Sequence, residues 1–451
     1  MATRRAPAEP LLVVLGSTGT GKSELAVELA TRFRGEIINS DAMQLYNGLP
    51  VITNKISLPE QRGIPHHLLG HISLAEPPWD VEDFKRETTK VMAEIRARGN
   101  LPILVGGTHY YVDSLLFTDV ILDDIALDRK ESFAILDEPT DVLLEELRRC
   151  DPVMANRWHP NDRRKILRSL EIYLHTGKPA SQLYAEQQDR KAAAVAAQPW
   201  EKLLFWVYTD REILCERLNQ RLDKMLRAGL LDEVKELFRL KRDKAAKGEL
   251  VDMSKGIWQS IGYRQFEPYL EALDEGKDAA ALEQLKADAL EDVKTATRRY
   301  ANYQTRWTRL KQMRRLREHG PEALQSLYLL DSTDVSRFEP AVVEPAARLT
   351  EQFLHGESLP PATELSLRAA EVLTSLGDPP SAETPHRRAC DVCQTVVLTE
   401  QAWARHVKGA AHRRAIKKRK KLALVPYEPP GGPAEAGSSS PPSSPNIASL
   451  F

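Results

Sequence analysis

Five consecutive apolar residues at positions 11–15 (LLVVL) open the regular part of the chain. So short an apolar run, followed at once by a glycine-rich turn, reads as a strand buried on both faces. Residues 22–32 then space their apolar positions as an amphipathic helix does. GEIIN at 35–39 predicts a second strand, LPILV at 101–105 a third after a helix over 81–98, and LLFWVY at 203–208 a fourth. Strands alternating with helices predict a parallel α/β sheet flanked by helices. Between 119 and 199 the period becomes helical throughout, as at 141–150 and 163–176, which predicts a helical insertion splitting the sheet domain. Long helices are expected over 211–227, 231–244 and 279–300, the last running on towards 317.

The predicted organisation is a first core segment (11–118), the insertion (119–199) and a second core segment (200–330). The stretch 355–388, with Pro360, Pro361, Pro379, Pro380 and Pro385, reads as a linker. A small module follows at 389–421, and the Pro/Gly/Ser-rich residues 426–451 are expected to be disordered. A length of 451 residues fits this count of roughly three domains. No apolar run approaches a bilayer span, so no membrane partner is expected. The N-terminal ten residues lack a secretory apolar stretch and are brief for a mitochondrial transit peptide.

Charge sharpens the picture only when it is divided. Sixty-three Lys+Arg against 64 Asp+Glu leave −1 overall. Residues 386–421 nevertheless hold eleven bases and two acids, or +9, and residues 294–317 hold nine bases and no acid. Phosphate neutralisation is local, so such asymmetry points to a nucleic-acid partner that the total conceals. An isolated charge run is ordinarily a solvated helix face. Here Tyr300, Tyr303 and Trp307 interleave the bases, and aromatic faces among cations suit RNA, with Arg298, Arg306 and Arg309 the expected contacts. Trp307 also reads as a helix-core residue.

Residues 16–23 (GSTGTGKS) match the phosphate-loop pattern G-x-x-x-x-G-K-[ST] between a strand and a helix. In such a loop backbone N–H groups turn onto an anion at a helix N-terminus, a lysine adds a point charge, and the following hydroxyl is placed to hold Mg²⁺. Thr18, Gly19, Thr20, Gly21, Lys22 and Ser23 are therefore the expected di- or triphosphate binders, Ser23 with Mg²⁺. The third strand ends in Gly106-Gly107-Thr108, not in the aspartate a nucleotide hydrolase uses there, which argues against a motor-type ATPase or GTPase. An acid does follow the second strand, Asp41. The carboxyl ends of neighbouring parallel strands converge on one crevice, so Asp41 can face Lys22 as a general base or outer metal ligand. A lone Asp after a strand is also commonly a helix cap. Arg217 and Arg221, at i and i+4, suit either an anion clamp or surface ion pairs.

Only four cysteines occur, too few for a disulfide framework. Two of them form Cys390-x₂-Cys393-x₁₂-His406-x₅-His412, which is zinc-finger spacing for a structural Zn²⁺. Cys150 and Cys215 are expected to pack as small apolar residues. The finger runs into RRAIKKRKK (413–421), which suits RNA phosphates or nuclear import.

These segments together resemble the tRNA dimethylallyltransferases (tRNA isopentenyltransferases). The resemblance spans about residues 11–313 and the finger at 390–412, which is typical of eukaryotic members. It rests on the phosphate loop, DAMQLY (41–46), IPHH (64–67), VGGT (105–108), HPND (159–162) with Arg164–Arg168, GIWQSIGYR (256–264) and TRRYANYQTRW (297–307). The family places dimethylallyl diphosphate, not ATP, on the phosphate loop and transfers the five-carbon group to N6 of the adenosine immediately 3′ of the tRNA anticodon. The resemblance thus implies that residues 18–23 bind diphosphate with Mg²⁺, that Asp41 accepts the N6 proton, and that Thr108 lies beside the adenosine. It further implies tRNA contacts from Asp41, Ala42, Met43 and Gln44 and from Arg164, Lys165 and Arg168. The chain departs from the family at Ala42, where serine is common. A cytoplasmic monomer acting on the anticodon stem-loop is expected, with mitochondrial and nuclear pools. The rival expectation is a small-molecule or nucleotide kinase using the same loop for ATP.

Overall fold

The computed structural model describes residues 5–117, 133–186, 201–374, 387–393 and 395–422. Six strands form one sheet: β1 (Leu11–Gly16), β2 (Gly35–Asn39), β3 (His66–His67), β4 (Leu101–Val105), β5 (Lys202–Tyr208) and β6 (Leu327–Asp331). Their spatial order is β3-β2-β4-β1-β5-β6, and every pairing is parallel. Every residue of β1, β2 and β4 is buried, because helices cover both faces of a parallel sheet and an unbroken apolar run satisfies both.

The covering helices bury apolar stripes. α1 (Lys22–Arg32) sinks Leu25, Ala26, Val27, Leu29 and Ala30. α2 (Val81–Ala97) is started by Asp80, whose carboxylate accepts from Glu82 N at 2.9 Å and Asp83 N at 3.0 Å, and buries Phe84, Thr88, Met92 and Ile95. α3 (His109–Leu116) follows β4. The insertion contributes α4 (Thr140–Cys150) and α5 (Arg163–Thr176), which share a separate small core of Leu143, Leu147, Met154, Ile166 and Leu170. Its flanks, 118–132 and 187–200, lie outside the described residues, as do 375–386 and the tail expected to be disordered. After β5 come α6 (Arg211–Arg227), α7 (Leu230–Ala246), α8 (Tyr263–Asp274) and the 29-residue α9 (Ala279–Trp307).

The structure corrects the boundary after residue 330. β6 is a sixth strand that the pattern reading omitted, and α10 (Glu344–Leu354) packs on the same sheet domain. Part of the stretch expected to be a linker is core. In α11 (Leu367–Thr374), Ala369, Val372 and Leu373 are buried together with Ala362. The Tyr328 hydroxyl donates to Pro360 O at 2.6 Å, and Arg368 Nη2 pairs with Asp210 at 2.7 Å. Pro360 and Pro361 directly precede the short helical turn Ala362–Glu364. The apolar positions 369, 372 and 373 recur at helical spacing and shield β6, a strand at the sheet edge.

The C-terminal module is a two-stranded antiparallel ribbon, Arg388–Ala389 with Val396–Val397, followed by α12 (Glu400–Lys408) and α13 (Ala410–Leu422). It touches the insertion where His159 Nε2 donates to Val396 O at 3.1 Å; His159 Nδ1 accepts from Asn161 N, which leaves Nε2 as the protonated nitrogen. Among the described residues no helix is long and apolar enough to cross a membrane.

Candidate active site

The carboxyl ends of β1, β2 and β4 meet in one crevice, and each delivers a different chemical group. From β1 comes the phosphate loop, ending at Gly21 with φ 93°, a left-handed conformation that glycine adopts without strain, which starts α1. The loop is braced from inside. Thr20 Oγ1 donates to Ser17 O at 3.0 Å, and Lys22 Nζ donates to the same carbonyl at 2.6 Å. Burial pulls the Lys22 ammonium down to about 8, opposed by the nearby Asp41 carboxylate and reinforced by Arg221.

From β2 comes Asp41. Asn39 Oδ1 accepts from Asp41 N at 3.0 Å while Asn39 Nδ2 donates to Asp41 O and Leu68 O, so the backbone here is pinned. Asp41 Oδ1 accepts from Met43 N at 3.0 Å and thereby caps the short turn Met43–Leu45. The cap uses one oxygen; the other lies beside Gly107. Burial raises the Asp41 carboxyl above the usual carboxylate range, against the pull of two backbone N–H groups and Lys22.

From β4 comes the Gly-Gly-Thr turn, and the crevice explains its glycines. A Cβ on Gly106 would stand 2.2 Å from Ser40 Oγ, and one on Gly107 would stand 2.3 Å from Gln304 Nε2. Thr108 Oγ1 accepts from Ala42 N at 3.0 Å, which ties the β4 turn to the β2 turn. Gln304, buried in α9, links the remaining pieces: its Oε1 accepts from Thr18 N at 2.8 Å and its Nε2 donates to Gly107 O at 3.0 Å. Ser17 Oγ adds contacts to Ala301 O and Thr305 Oγ1 on the same helix.

Two cavities open from this junction. One, of about 800 Å³, is polar and lined by Gly19, Gly21, Lys22, Ser23, Lys55 and Arg62 among others. The second, of about 410 Å³, has apolar walls from Leu218, Leu222, Met225, Leu230, Val293 and Tyr300, with Ala42, Met43 and Thr108 along one side. Thr18, Asp41, Gln44, Asn54 and Arg221 line both. The carboxylate therefore stands where a charged lobe joins an apolar one.

The two arginines of α6 separate. Arg221 reaches the junction, with Nη1 donating to the Thr18 hydroxyl at 2.8 Å, and burial lowers its guanidinium to about 10. Arg217 does not: its Nη2 donates to Ser332 O at 2.7 Å and Thr333 O at 2.5 Å beyond β6. The expected pair is thus one arginine at the junction of the two cavities and one that fastens the edge strand. Sequence reasoning passed over Lys55, Asn54, Arg62 and Glu233, which lie outside any short pattern. It also passed over Gln304, which stands inside TRRYANYQTRW and was hidden by attention to bases and rings.

The residues expected to meet RNA occupy a face beside this junction. Arg306 and Arg309 are exposed, as is Tyr303, at 54%. Arg298 is half-buried and donates to Asn219 Oδ1 and Thr295 Oγ1. Tyr300 turns inward to the apolar lobe. Trp307 is half-buried and not among the core residues: its Nε1 donates to Asp113 Oδ2 at 2.8 Å and Lys311 Nζ lies 3.7 Å from its ring centroid. Arg164 and Lys165 are exposed at the start of α5; Lys165 pairs with Asp162 at 2.9 Å and Arg168 with Glu171 at 3.4 Å. Arg164 lies close enough to Tyr303, and Lys165 to Lys311, for their charges to be felt there, so the start of α5 lies near the end of α9 and the residues just after it.

In the C-terminal module the four expected ligand atoms lie within 4.8 Å of one another. Cys393 Sγ is 3.1 Å from His406 Nε2 and 3.5 Å from His412 Nδ1, and the two sulfurs are 3.4 Å apart. Edges of a tetrahedron around Zn²⁺ are roughly 3.5–3.8 Å for S and N ligands, whereas a disulfide would bring the sulfurs to about 2 Å. The donor set fits zinc.

A phosphate loop facing a carboxylate, with an apolar acceptor lobe beyond it, defines a group-transfer protein that brings a phosphorylated donor to a second substrate. The IPP transferase family model matches residues 44–311. The chain belongs to that family. It is 35% identical to the tRNA dimethylallyltransferase of Schizosaccharomyces pombe over 92% of this chain and 96% of that one. With the human protein of the same name it is 35% identical over 92% of this chain and 87% of the relative. A solved structure described as crystallographic snapshots of a eukaryotic dimethylallyltransferase acting on tRNA superimposes with a TM-score of 0.77 at 32% identity, over 92% of this chain and 98% of that one.

Proposed function

We propose that the protein transfers the dimethylallyl group of dimethylallyl diphosphate to N6 of the adenosine immediately 3′ of the anticodon in tRNA, releasing diphosphate. One observation carries the reading: Asp41 stands at the mouth shared by a charged lobe, which holds the phosphate loop, and an apolar one, which is where a prenyl carbon leaving phosphate must meet an amine. The family assignment and the named relatives support the same reaction.

In this reaction the N6–C1 bond forms as the C1–O bond breaks, its electron pair leaves on the diphosphate, and the N6 proton passes to Asp41. The exocyclic amine is a weak nucleophile because its lone pair is delocalised into the ring. A carboxylate that takes the proton as the bond forms is worth about 10²–10⁴-fold. Lys22, Arg221 and the loop amides offset the charge growing on the leaving group. The Ser23 hydroxyl is exposed at the polar lobe and has no partner among the described residues, which fits a Mg²⁺ ligand. Bound there, Mg²⁺ neutralises diphosphate charge. The adenine must leave its stack to reach Asp41, and unpaired loop bases make that extrusion easier. The basic face of α9, the start of α5 and the zinc module supply phosphate contacts along the stem.

The test supplies purified protein with labelled dimethylallyl diphosphate and unmodified tRNA. Prenyladenosine is expected in the digested tRNA. Its absence together with ATP consumption replaces this reading with that of a kinase.

A further inference from the structure

The loop from Leu49 to Ile56 lines both lobes, and one of its residues is held in a conformation it resists. Leu49 and Asn54 both adopt φ of 51°. Asparagine tolerates that conformation, whereas for Leu49 the clash of Cβ with the backbone costs about 1–2 kcal/mol. Three grips maintain it. Glu233, in the first turn of α7, accepts from Val51 N at 2.9 Å and from Ile52 N at 2.7 Å with its two carboxylate oxygens. Gln44 Nε2 donates to Thr53 O and Asn54 O. Ile52 packs against the bare face of Gly262.

What this loop presents to the polar lobe is Lys55. Its ammonium donates to Gly48 O at 2.6 Å and to Thr53 Oγ1 at 2.9 Å. An ammonium has three donors, so one is left for a ligand oxygen in a lobe already lined by Lys22, Ser23 and Arg221. Burial draws its pKa down to about 8 while Glu233 and Asp41 sustain the charge, so it remains a cation at neutral pH. A half-buried cation with one donor unspent suits an anion that arrives from solution.

The geometry points to Lys55 as a second ammonium of the diphosphate site, gripping the leaving group from the 49–56 loop while Lys22 grips it from the phosphate loop, with Glu233 as the positioning residue that holds the loop. This inference rests on the prenyl-transfer reading of the pocket. It adds to that reading a specific phosphate contact and a carboxylate, Glu233, that touches no substrate.

The experiment measures the KM for dimethylallyl diphosphate, the Ki of inorganic diphosphate, the KM for tRNA and the thermal midpoint in K55M, K55R, E233Q and K55M/E233Q. In K55M the KM for the donor and the Ki of diphosphate should rise together by about tenfold or more, as loss of a hydrogen bond to a charged group implies, with the tRNA KM within about twofold of wild type. K55R should recover most of the loss. E233Q should shift the same two constants by less, and the double variant should be no worse than K55M, because Glu233 acts through Lys55. An unchanged diphosphate Ki in folded K55M overturns the proposal, as does a K55R defect equal to that of K55M or multiplication of the two defects. If K55M does not fold, K55Q, whose amide can still donate to Gly48 O, gives the same comparison. Wild-type turnover is measured alongside. Failure of wild type to prenylate tRNA refutes the reaction, whereas diphosphate inhibition alone decides Lys55.

Discussion

Asp41→Asn separates the proton acceptor from the scaffold around it. The amide oxygen can keep the 3.0 Å bond from Met43 N, and Asn39 continues to pin the backbone through Asp41 N and O. The fold and the RNA face are therefore expected to persist. What disappears is the base, and a loss of about 10²–10⁴-fold corresponds to roughly 3–5.5 kcal/mol of barrier. Diphosphate affinity at pH 7 should not fall, because removing a carboxylate from beside an anion site lessens repulsion. Single-turnover prenylation with saturating donor and tRNA reads the chemical step, and filter binding reads tRNA affinity. Turnover within tenfold of wild type, or a defect that lies wholly in tRNA affinity, would refute the base assignment.

Gln304→Leu strands Thr18 N and leaves Gly107 O only the 3.5 Å bond from the Tyr300 hydroxyl. We expect about 2–4 kcal/mol of destabilisation in denaturant melts together with a raised donor KM; a change below about 1 kcal/mol would show the bridge to be dispensable. Cys393→Ser should abolish stoichiometric zinc by atomic absorption, weaken tRNA binding and make it less steeply salt-dependent, yet keep turnover at saturating tRNA; equal salt slopes would separate the finger from RNA. Glu36, gripped first by Arg98 and also by Asn100 and His67, is held at about 2 against an ordinary 4.5. Its contribution is fully present above pH 4.5 and is lost as pH falls towards 2, so Glu36→Gln should flatten the acid limb of the stability curve by up to about 3 kcal/mol. Asp113, raised to about 6 by burial, works in the opposite sense, so only the comparison with Glu36→Gln isolates this limb.

Elements whose signal is local were legible before any coordinates. The short segments at 11–15, 35–39, 101–105 and 203–208 read as buried strands, and GSTGTGKS carries its phosphate-loop signature in eight adjacent residues. The four zinc ligands lie within 23 residues of each other, so spacing alone proposes their convergence. Asp41 was legible for a slightly longer-range reason: parallel strands bring their carboxyl ends to one edge. β6 was passed over although Leu327–Leu330 is an apolar run buried on both faces, and α11 was obscured because prolines and charges surround its few apolar positions.

The remainder was decided by tertiary structure. Arg217 and Arg221 share a helix face, yet only Arg221 meets Thr18, because Arg217 lies one turn earlier, level with the end of β6. Gln304 is 286 residues from the Thr18 amide it satisfies, and Glu233 is 182 residues from the loop it grips. Neither can be found by period or motif, since a hydrogen bond closed across the fold leaves no trace in local spacing. Sequence alone determined four of the six strands, the phosphate loop and the ligand quartet, where neighbours in the chain are neighbours in space. The chain's return through α7 and α9 decided how the lobes are walled and which cations face them.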